Sequence, residues 1–324
     1  MKLTEKEALV IGALELRPDT SIAKVRRETG LREHTIRYAV KRLEERKVIA
    51  RIPLVNLHRL GLVTFNVFFS LSAQRRETRA AVLAFLKNAP EVVWVGEFGG
   101  EYQYGIAIVS KHATRVPAFL TEIATRFPNA FFEKALSLQS ACTIFPRRYI
   151  SSVSRKIKVK PIRLALEPGA GESFEIDELD DRILSALASN GSASHREISQ
   201  QIGTPASTID LRIKRLSKGG VIAGEIYAVD PGQFEVQQFK LLIYAKGINP
   251  ELTKSLIAFC ADQPNVPALI ECSGSWDYEI ALDVKNAELV SAFVQELYER
   301  FGAVINTVKT LTRFRDVKVR WYPS

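Results

Sequence analysis

Two segments of the chain, "REHTIRYAVKRLEERKVI" at residues 32–49 and "PASTIDLRIKRLSKGGVI" at residues 205–222, are near copies of each other. Both keep Thr-Ile near the start, Lys-Arg-Leu in the middle and Val-Ile at the end. The first copy is crowded with positive charge, whereas the second has Asp210 at the position of Arg37. This pattern indicates a duplicated unit whose two copies have diverged in charge.

A second pair of similar segments follows in the same order. The stretch "GGEYQYGIAI" (99–108) matches "SGSWDYEIAL" (273–282) with one extra residue of offset. Two repeats in one order predict two homologous halves, at 1–146 and 174–324. The segment between them, 147–173, begins with alternating basic and apolar residues, which are typical of an edge strand, and ends in the loop-like "EPGAGES".

Length and composition restrict the class of protein. The chain has 324 residues, 46% of them hydrophobic, and therefore enough apolar surface for more than one domain. No apolar run of the length that spans a membrane occurs, and "MKLTEKEALV" lacks the apolar core of a signal peptide. Three cysteines without a CxxC pair indicate neither a disulfide framework nor a zinc site. We therefore expect a cytoplasmic protein, and its net charge of +9 favours a polyanionic partner.

Each half begins with helical periodicity and continues with alternating strands. The opening residues predict three short helices, the last two joined by a tight turn at Gly30 or Gly203, followed by a strand. This order is typical of a winged helix-turn-helix. The remaining segments predict the order βαββαβ, which is that of a ferredoxin-like domain. The expected fold class is therefore α+β, with two repeats of a winged helix-turn-helix followed by a ferredoxin-like βαββαβ domain.

These patterns also predict the domain boundaries. We expect a first winged helix-turn-helix, a first ferredoxin-like domain, a linker, a second winged helix-turn-helix and a second ferredoxin-like domain. Their predicted bounds are 1–60, 61–146, 147–173, 174–233 and 234–324.

The helix predicted from the first copy has the chemistry of a DNA-reading helix. Ile36, Val40 and Leu43 form an apolar core stripe, and the remaining surface offers cations and hydrogen-bond donors. A helix in the major groove needs cations for phosphates and polar or forked side chains for base edges. The candidate DNA-binding residues are Arg32, His34, Thr35, Arg37, Tyr38, Lys41 and Arg42. The alternative is a charged helix face that is merely solvated.

The second copy is a weaker candidate for the same role. Residues 1–51 contain 13 Lys and Arg against 8 Asp and Glu, whereas residues 174–222 contain 6 against 7. Phosphate attraction grows with the number of cations placed at the DNA backbone, and Asp210 would repel phosphate. The candidate DNA-binding residues here are Ser207, Thr208, Arg212 and Arg215. Whether this unit contacts DNA or serves in packing stays open at this point.

The second pair of repeats offers candidate ligand-binding residues. Glycine followed by aromatic and polar residues at a strand-to-strand turn permits close backbone approach, and Asp277 could hold an ammonium group. The candidate residues are Gly100, Tyr102, Tyr104, Gly274, Trp276, Asp277 and Tyr278. The alternative is a β-turn whose aromatic side chains belong to the core.

Catalytic and metal chemistry find little support in the sequence. The four histidines are scattered, and no HExxH, GxSxG or glycine-rich phosphate loop occurs. We therefore assign no catalytic residues, no metal ligands and no cofactor.

In these motifs the chain resembles the Lrp/AsnC (feast/famine) transcription regulators. The second half matches them in "IDELDDRILSAL", "HREISQQIGTPASTIDLRIKRLSKGGVIAGEIYAVDP" and "CSGSWDYEIALDV", and the first half matches less literally in "GLREHTIRYAVKRLEERKVI" and "GEFGGEYQYGIAIV". The resemblance implies a helix-turn-helix that binds double-stranded DNA and a domain that binds a small effector, often an amino acid. It also implies homo-oligomers that form through the effector domains. This chain looks like two such members fused into an internal pseudo-dimer.

Three positions depart from the family pattern. The acidic position of the effector turn is Gln103 in the first half, which weakens the case for an amino-acid pocket there. The serine that commonly starts the reading helix is replaced by Arg32 and by Pro205. We expect Pro205 to be the first helical residue, capped by Thr204, and the first-half helix to lack a cap.

Three functions of different classes follow from these observations. The leading one is a sequence-specific transcription regulator in which the 32–47 helix reads DNA and an effector shifts the arrangement. The second is an enzyme, because the architecture is similar to that of siroheme decarboxylases, which bind an acidic tetrapyrrole. The third is a partner protein that does not bind DNA and modulates other family members.

Overall fold

The first half of the chain contains five helices and five strands within the described residues. The computed structural model describes residues 3–72, 76–129, 131–151, 159–166, 173–247 and 249–323. The elements of the first half are α1 (Glu5–Leu14), α2 (Ile22–Thr29), α3 (Glu33–Glu45), β1 (Ile49–Val55), β2 (Val63–Leu71), α4 (Arg76–Asn88), β3 (Val92–Gly99), β4 (Tyr104–Ser110), α5 (Arg115–Arg126) and β5 (Phe131–Ile144). We call α1–α3 the first tri-helical unit.

The second half repeats this order after a short strand, β6 (Ile162–Ala165). Its elements are α6 (Glu178–Ser189), α7 (His195–Ile202), α8 (Ala206–Lys218), β7 (Ile222–Val229), β8 (Gln237–Ala245), α9 (Pro250–Asp262), β9 (Ala268–Gly274), β10 (Tyr278–Val284), α10 (Ala287–Phe301) and β11 (Ile305–Val319). We call α6–α8 the second tri-helical unit. The predicted α+β fold class with two repeats is confirmed.

Local sequence signals set the ends of the helices in both tri-helical units. Gly30 and Gly203 take left-handed φ values of 72° and 75° and end the second helix of each unit. Among the described residues, Arg32 is the N-cap of α3 but its side chain makes no capping hydrogen bond, as expected. The prediction that Pro205 is the first helical residue is wrong. Pro205 is itself the N-cap, because its extended ψ of 139° places Ala206 first in the helix.

Eight strands close into an antiparallel barrel that contains four strands from each half. Within the first half the pairing order is β5–β2–β4–β3, and within the second it is β11–β8–β10–β9. The edge strands then pair between the halves, β3 with β11 and β9 with β5. Closure pairs the strand edges that an isolated ferredoxin-like sheet would leave open.

The pairings between the halves obey a pseudo-twofold symmetry. Gly99 pairs with Thr312 where β3 meets β11, and Ser273 pairs with Leu138 where β9 meets β5. Each residue of one pair corresponds to a residue of the other at the same repeat offset. The interface is therefore isologous, as in a twofold homodimer, although a single chain forms it.

The barrel strands β2, β4, β8 and β10 are largely buried on both of their faces. The outer faces pack under α4 and α5 in the first half and under α9 and α10 in the second. The inner faces meet across the barrel, where Phe68, Phe98, Tyr102, Leu242 and Trp276 form one cluster. This double burial explains why "VTFNVFFSL" of β2 is a nearly continuous apolar run rather than a clean alternation.

A buried ion pair lies inside the barrel. The ammonium group of Lys240 contacts the carboxylate of Glu279, which is fully buried. Glu279 Oε1 also accepts hydrogen bonds from Asn66 Nδ2 at 2.7 Å and from Trp276 Nε1 at 3.1 Å. The Lys240 ammonium lies 5.0 Å from the ring centroid of Trp94 in the first half. These contacts satisfy a charge pair that would otherwise destabilise the core.

The two wing strands pair with each other. β1 and β7 form a two-stranded antiparallel sheet in which Ile52 faces Ile226. The predicted wing strands are present, but the partner of each is the other half's strand, which the sequence did not indicate. Tyr227 and Val229 of β7 pack into the first tri-helical core, and Val55 of β1 packs into the second. Each tri-helical unit is therefore built partly from the opposite half.

The segment between the halves adds one strand. Residues 152–158, most of the stretch predicted as an edge strand, lie outside the described residues. β6 pairs antiparallel with residues 141–144 of β5, beyond the point where β2 ends. It is the terminal strand of the sheet order.

The barrel ion pair generates a stability prediction. Glu279→Gln leaves the Lys240 charge buried without its counterion, and we expect a loss of about 3–5 kcal/mol in the free energy of unfolding. Denaturant unfolding at neutral pH measures this loss. The matched control is Glu101→Gln, which breaks the partly exposed pair with Lys309 (2.5 Å) and should cost less than about 1 kcal/mol. Equal losses in the two variants would contradict the role given to Glu279.

Candidate nucleic-acid interface

Helix α3 divides into a buried face and a cationic exposed face. Ile36 and Leu43 are fully buried in the first tri-helical core, and Ala39 is buried beside them. The opposite face exposes 65% of the Arg37 side chain and 77% of the Lys41 side chain. The helix therefore presents cations outward along two turns, as a major-groove helix requires.

The remaining predicted residues of α3 surround these cations. Tyr38 is 65% exposed, although its ring is large and apolar. Arg32 and His34 are exposed at the start of the helix, and Thr35 is half-buried there. Three further cations, Lys24, Arg26 and Arg27, are exposed on α2. The structure thus brings most of the predicted DNA-binding residues together on one surface.

Arg37 and Lys41 each make an exposed ion pair along the helix. Arg37 donates to Glu33 at 2.8 Å, and Lys41 lies 3.8 Å from Glu45. Exposed pairs four residues apart contribute only about 0.3–0.5 kcal/mol. Arg37 and Lys41 can therefore exchange these partners for phosphates or bases at little cost.

Arg42 has a structural contact that the sequence analysis missed. Its guanidinium lies 3.6 Å from the buried carboxylate of Glu7 on α1, and Arg46 lies 3.0 Å from the same carboxylate. Burial alone raises the pKa of Glu7, but hydrogen bonds from Thr4 and the charges of Arg46 and Arg42 outweigh it and lower that pKa. Arg42 therefore fastens α3 to α1.

On the second tri-helical unit the arginines of the corresponding helix are held by acidic residues. Arg212 donates to Asp177 at 2.5 Å and to Asp180 at 3.2 Å. Arg215 donates to the second oxygen of the fully buried Asp180 at 2.6 Å and lies 4.6 Å from the Phe174 ring centroid. Since Arg215 aligns with Arg42 and Asp180 with Glu7, both units use this contact to join their first and third helices.

The exposed side of α8 is less cationic than that of α3. Lys214 donates to Asp210 at 2.6 Å, and His195 lies 3.4 Å from the same carboxylate. Leu211, which is 67% exposed, occupies the position of Tyr38. Ser207 is exposed and Thr208 is half-buried in the first turn. Asp210 thus places a negative charge where the first unit has Arg37.

The turn residues predicted to bind an effector belong largely to the core. Tyr102 and Trp276 point into the barrel cluster, whereas Tyr104 and Tyr278 pack on the outer side under the helices. Burial raises the pKa of Tyr102 to about 12. Gly100 and Gly274 have φ values of 120° and 150°, which favour glycine.

Asp277 is used within the protein itself. Its Oδ2 atom accepts a hydrogen bond from the backbone N–H of Ala245 at 2.6 Å, which ties the turn to the end of β8. Asp277 can therefore bind a ligand only if this hydrogen bond breaks or if its carboxylate accepts from Ala245 and the ligand at once. In the first half the aligned residue is Gln103, whose Oε1 atom is buried and has no hydrogen-bond partner among the described residues.

A cleft of about 480 Å³ lies beside the second turn. It is lined by Arg163, Asn249, Pro250, Thr253, Lys254, Ile257 and Glu271. The Thr253 hydroxyl lies 2.8 Å from the hydroxyl of Tyr278, so the cleft adjoins a predicted effector residue. Arg163 donates to both carboxylate oxygens of Glu271, at 3.0 and 2.9 Å. Sequence reasoning missed this cleft because β6, α9 and β9 contribute one charged residue each.

A second cleft, of about 410 Å³, lies between β1, the end of α6 and residues 319–322. The guanidinium of Arg51 in its wall is already paired with Asp19 and Glu225. Within the described ranges, no group of three or more His, Cys, Asp or Glu residues could hold a metal ion. No helix in that part of the chain combines the length and apolar character needed to cross a membrane.

Comparison with known proteins finds transcriptional regulators of the helix-turn-helix type. An AsnC-type helix-turn-helix domain matches residues 176–217, in the second tri-helical unit. The HTH-type transcriptional regulator FL11 of Pyrococcus horikoshii is 31% identical over 121 residues, which cover 37% of this chain and 78% of that protein. An uncharacterized HTH-type transcriptional regulator of the same organism is 29% identical over 133 residues, covering 41% and 83%.

Two solved structures of one protein match almost the whole chain. The siroheme decarboxylase NirDL superposes with a TM-score of 0.61 at 11% sequence identity, covering 99% of this chain and 94% of that chain. At this identity the likeness is one of fold alone. It shows that the arrangement of two tri-helical units on paired ferredoxin-like domains occurs in another protein.

Proposed function

The chain belongs to the Lrp/AsnC family of HTH-type transcriptional regulators, and from that premise we propose that it reads double-stranded DNA mainly with its first tri-helical unit. Arg37, Tyr38 and Lys41 approach the major groove, with Arg32, His34 and Thr35 at the start of the helix. Lys24, Arg26 and Arg27 contact the phosphates. The protein acts in the cytoplasm.

The observation that carries this proposal is the different state of the cations in the two units. The first unit exposes Arg37 and Lys41 in weak pairs along the helix, whereas the second unit has Asp210 in place of Arg37 and binds Arg212 to two carboxylates. Phosphate binding releases counterions only where cations reach the backbone. The AsnC-type match at 176–217 concerns the fold of the second unit, which does not require that unit to read DNA.

We further propose that a small zwitterion such as an amino acid binds in the cleft of about 480 Å³ beside the second effector turn. Glu271, whose carboxylate also accepts from Arg163, supplies a site for an ammonium group, and Lys254 supplies a cation for a carboxylate. Both signs of charge within one cleft suit such a ligand. The ligand regulates DNA binding when its affinity differs between two conformations of the protein.

Association of several copies through the effector domains is also part of the proposal. The barrel already pairs β3 with β11 and β9 with β5 inside one chain. Further copies therefore meet through outer surfaces of these domains. Leu289 and Tyr298 of α10 are large apolar residues exposed there, at 42% and 38%.

The competing function is that of a tetrapyrrole enzyme, favoured by the whole-chain fold match with NirDL. Purified protein that carries a Soret band, or that takes up added siroheme in stoichiometric amount, would support the enzyme. A chain that binds duplex DNA and leaves the siroheme spectrum unchanged supports the regulator.

The reading surface generates a direct prediction. Arg37→Ala with Lys41→Ala removes the two most exposed cations of α3 and should weaken DNA binding at least tenfold, about 1.4 kcal/mol. The matched control is Arg212→Ala with Lys214→Ala in the second unit, which should weaken binding less. Fluorescence anisotropy at fixed salt measures both on a duplex selected by the wild-type protein. Equal losses in the two double variants would contradict a first-unit reader.

The effector cleft generates a second prediction. Glu271→Gln removes the proposed ammonium partner and should weaken binding of the active amino acid at least about tenfold. A thermal-shift screen of the twenty common amino acids on wild-type protein identifies that ligand. The control is Glu97→Gln, the aligned position in the first half, where Arg315 pairs with the carboxylate at 2.7 Å. If Glu97→Gln weakens binding of the ligand as strongly as Glu271→Gln does, the ligand does not bind in the proposed cleft.

A further inference from the structure

Two buried carboxylates from different parts of the fold meet at one arginine. Glu15 caps the C-terminal end of α1, and Asp283 lies on β10 of the second half; each side chain is only 2% exposed. Arg147, just after β5, donates to Glu15 from Nη1 at 2.7 Å and from its backbone N–H at 2.8 Å. Its Nε atom donates to Asp283 at 3.4 Å. Arg147 therefore joins the first tri-helical unit to the opposite effector domain.

Neighbouring side chains extend this contact into the barrel. The Tyr149 hydroxyl donates to Asp283 at 2.8 Å, and Gln238 Nε2 of β8 donates to the other Asp283 oxygen at 3.2 Å. The Tyr149 ring packs edge-on against Phe234, which itself packs against the first tri-helical core. The contact thus connects α1, β8 and β10 within a few residues.

The arrangement depends on the charge of Arg147. Burial raises the pKa of Glu15, and the nearby Asp283 carboxylate acts in the same direction, while Arg147 opposes both. Without the guanidinium, two buried carboxylates would face each other with no counterion. Its planar fork also fixes the direction of each hydrogen bond, which an ammonium group does not do.

The second tri-helical unit is attached by different chemistry. The segment after β11 provides Tyr322, which packs in the second tri-helical core and donates from its hydroxyl to Asp181 at 2.7 Å. The sequence position that corresponds to Arg147 there is Trp321. The two attachments therefore differ in kind, and the charged one holds the unit with the exposed cations.

We infer that Arg147 is a positioning residue through which the effector domain of the second half sets the orientation of the first tri-helical unit. This inference rests on the proposed function, in which that unit reads DNA. β10 begins at the second effector turn, and Glu279 and Asp283 lie on the same inner face of this strand. A change at that turn therefore reaches the reader of the other half through β10, Asp283, Arg147 and Glu15.

Coupling of this kind is reciprocal, so DNA binding to the reader must alter the strands on the other side of the contact. Hydrogen–deuterium exchange tests this on the full chain, with and without a duplex selected from a random library by the wild-type protein. We expect DNA to slow exchange in α3 and also in residues 278–284 of wild type. In Arg147→Gln, DNA should still slow exchange in α3, whereas the change at 278–284 should fall at least about fivefold.

Three variants separate positioning from stability. Glu15→Gln breaks the contact from the other end and should give the same loss at 278–284, even where Arg147→Gln lowers the melting temperature. Arg147→Lys keeps the charge without the fork and should restore part of the response. Tyr322→Phe, which removes the corresponding hydrogen bond of the second unit, should leave the response intact.

The outcomes distinguish the two proposals. If DNA binding slows exchange at 278–284 as much in Arg147→Gln and Glu15→Gln as in wild type, the role of Arg147 is overturned. An α3 response with none at 278–284 in wild type would overturn it as well. Absence of any DNA effect on α3 would instead contradict the proposed function.

Discussion

Closure of the barrel between the halves is the constraint on which the rest of the structure depends. Its interior is filled unequally, with Phe68 and Trp94 from the first half facing Lys240 and Glu279 from the second. The register aligns Asn66 with Lys240, because their partners on the neighbouring strands are Ala107 and Ala281. Two first halves would bring two sets of rings together, and two second halves would bring two buried charge pairs together. The divergence inside the barrel therefore favours pairing of a first half with a second half. Fusion into one chain supplies the two halves in equal number.

The pairing of the two halves also links each tri-helical unit to the opposite half of the chain. Because β1 and β7 pair and each packs on the opposite tri-helical core, neither DNA-binding unit belongs to one half alone. One half can then lose DNA-binding cations while the other loses an acidic effector residue, without separating reading from sensing. Asp210 in the second reader position and Gln103 in the first effector turn are the substitutions that such a division of labour would produce. Arg147 connects the first tri-helical unit, which keeps the exposed cations, to the effector domain of the second half, which keeps the acidic turn residue.

The sequence predicted the two halves, the order of elements and the core stripe of α3, because periodicity and repeats are local signals. It did not predict the closed barrel or the wing pairing, since an alternating strand pattern does not identify the partner of an edge. The contacts of Arg212 and Arg215 were missed because Asp177 and Asp180 lie more than thirty residues away on another helix. The helix start at Ala206 was misplaced by one residue, because proline is compatible with both the N-cap and the first turn. The DNA contacts themselves stay predictions.

The central claim is that one closed pseudo-dimer carries one principal DNA reader. Hydroxyl-radical footprinting of the full-length chain, at one chain per duplex on a site selected from a random library, tests it most directly. The account predicts one strongly protected half-site, lost in Arg37→Ala with Lys41→Ala, and at most weak protection beside it. Two half-sites of equal protection, with equal sensitivity to substitutions in α3 and α8, would contradict it.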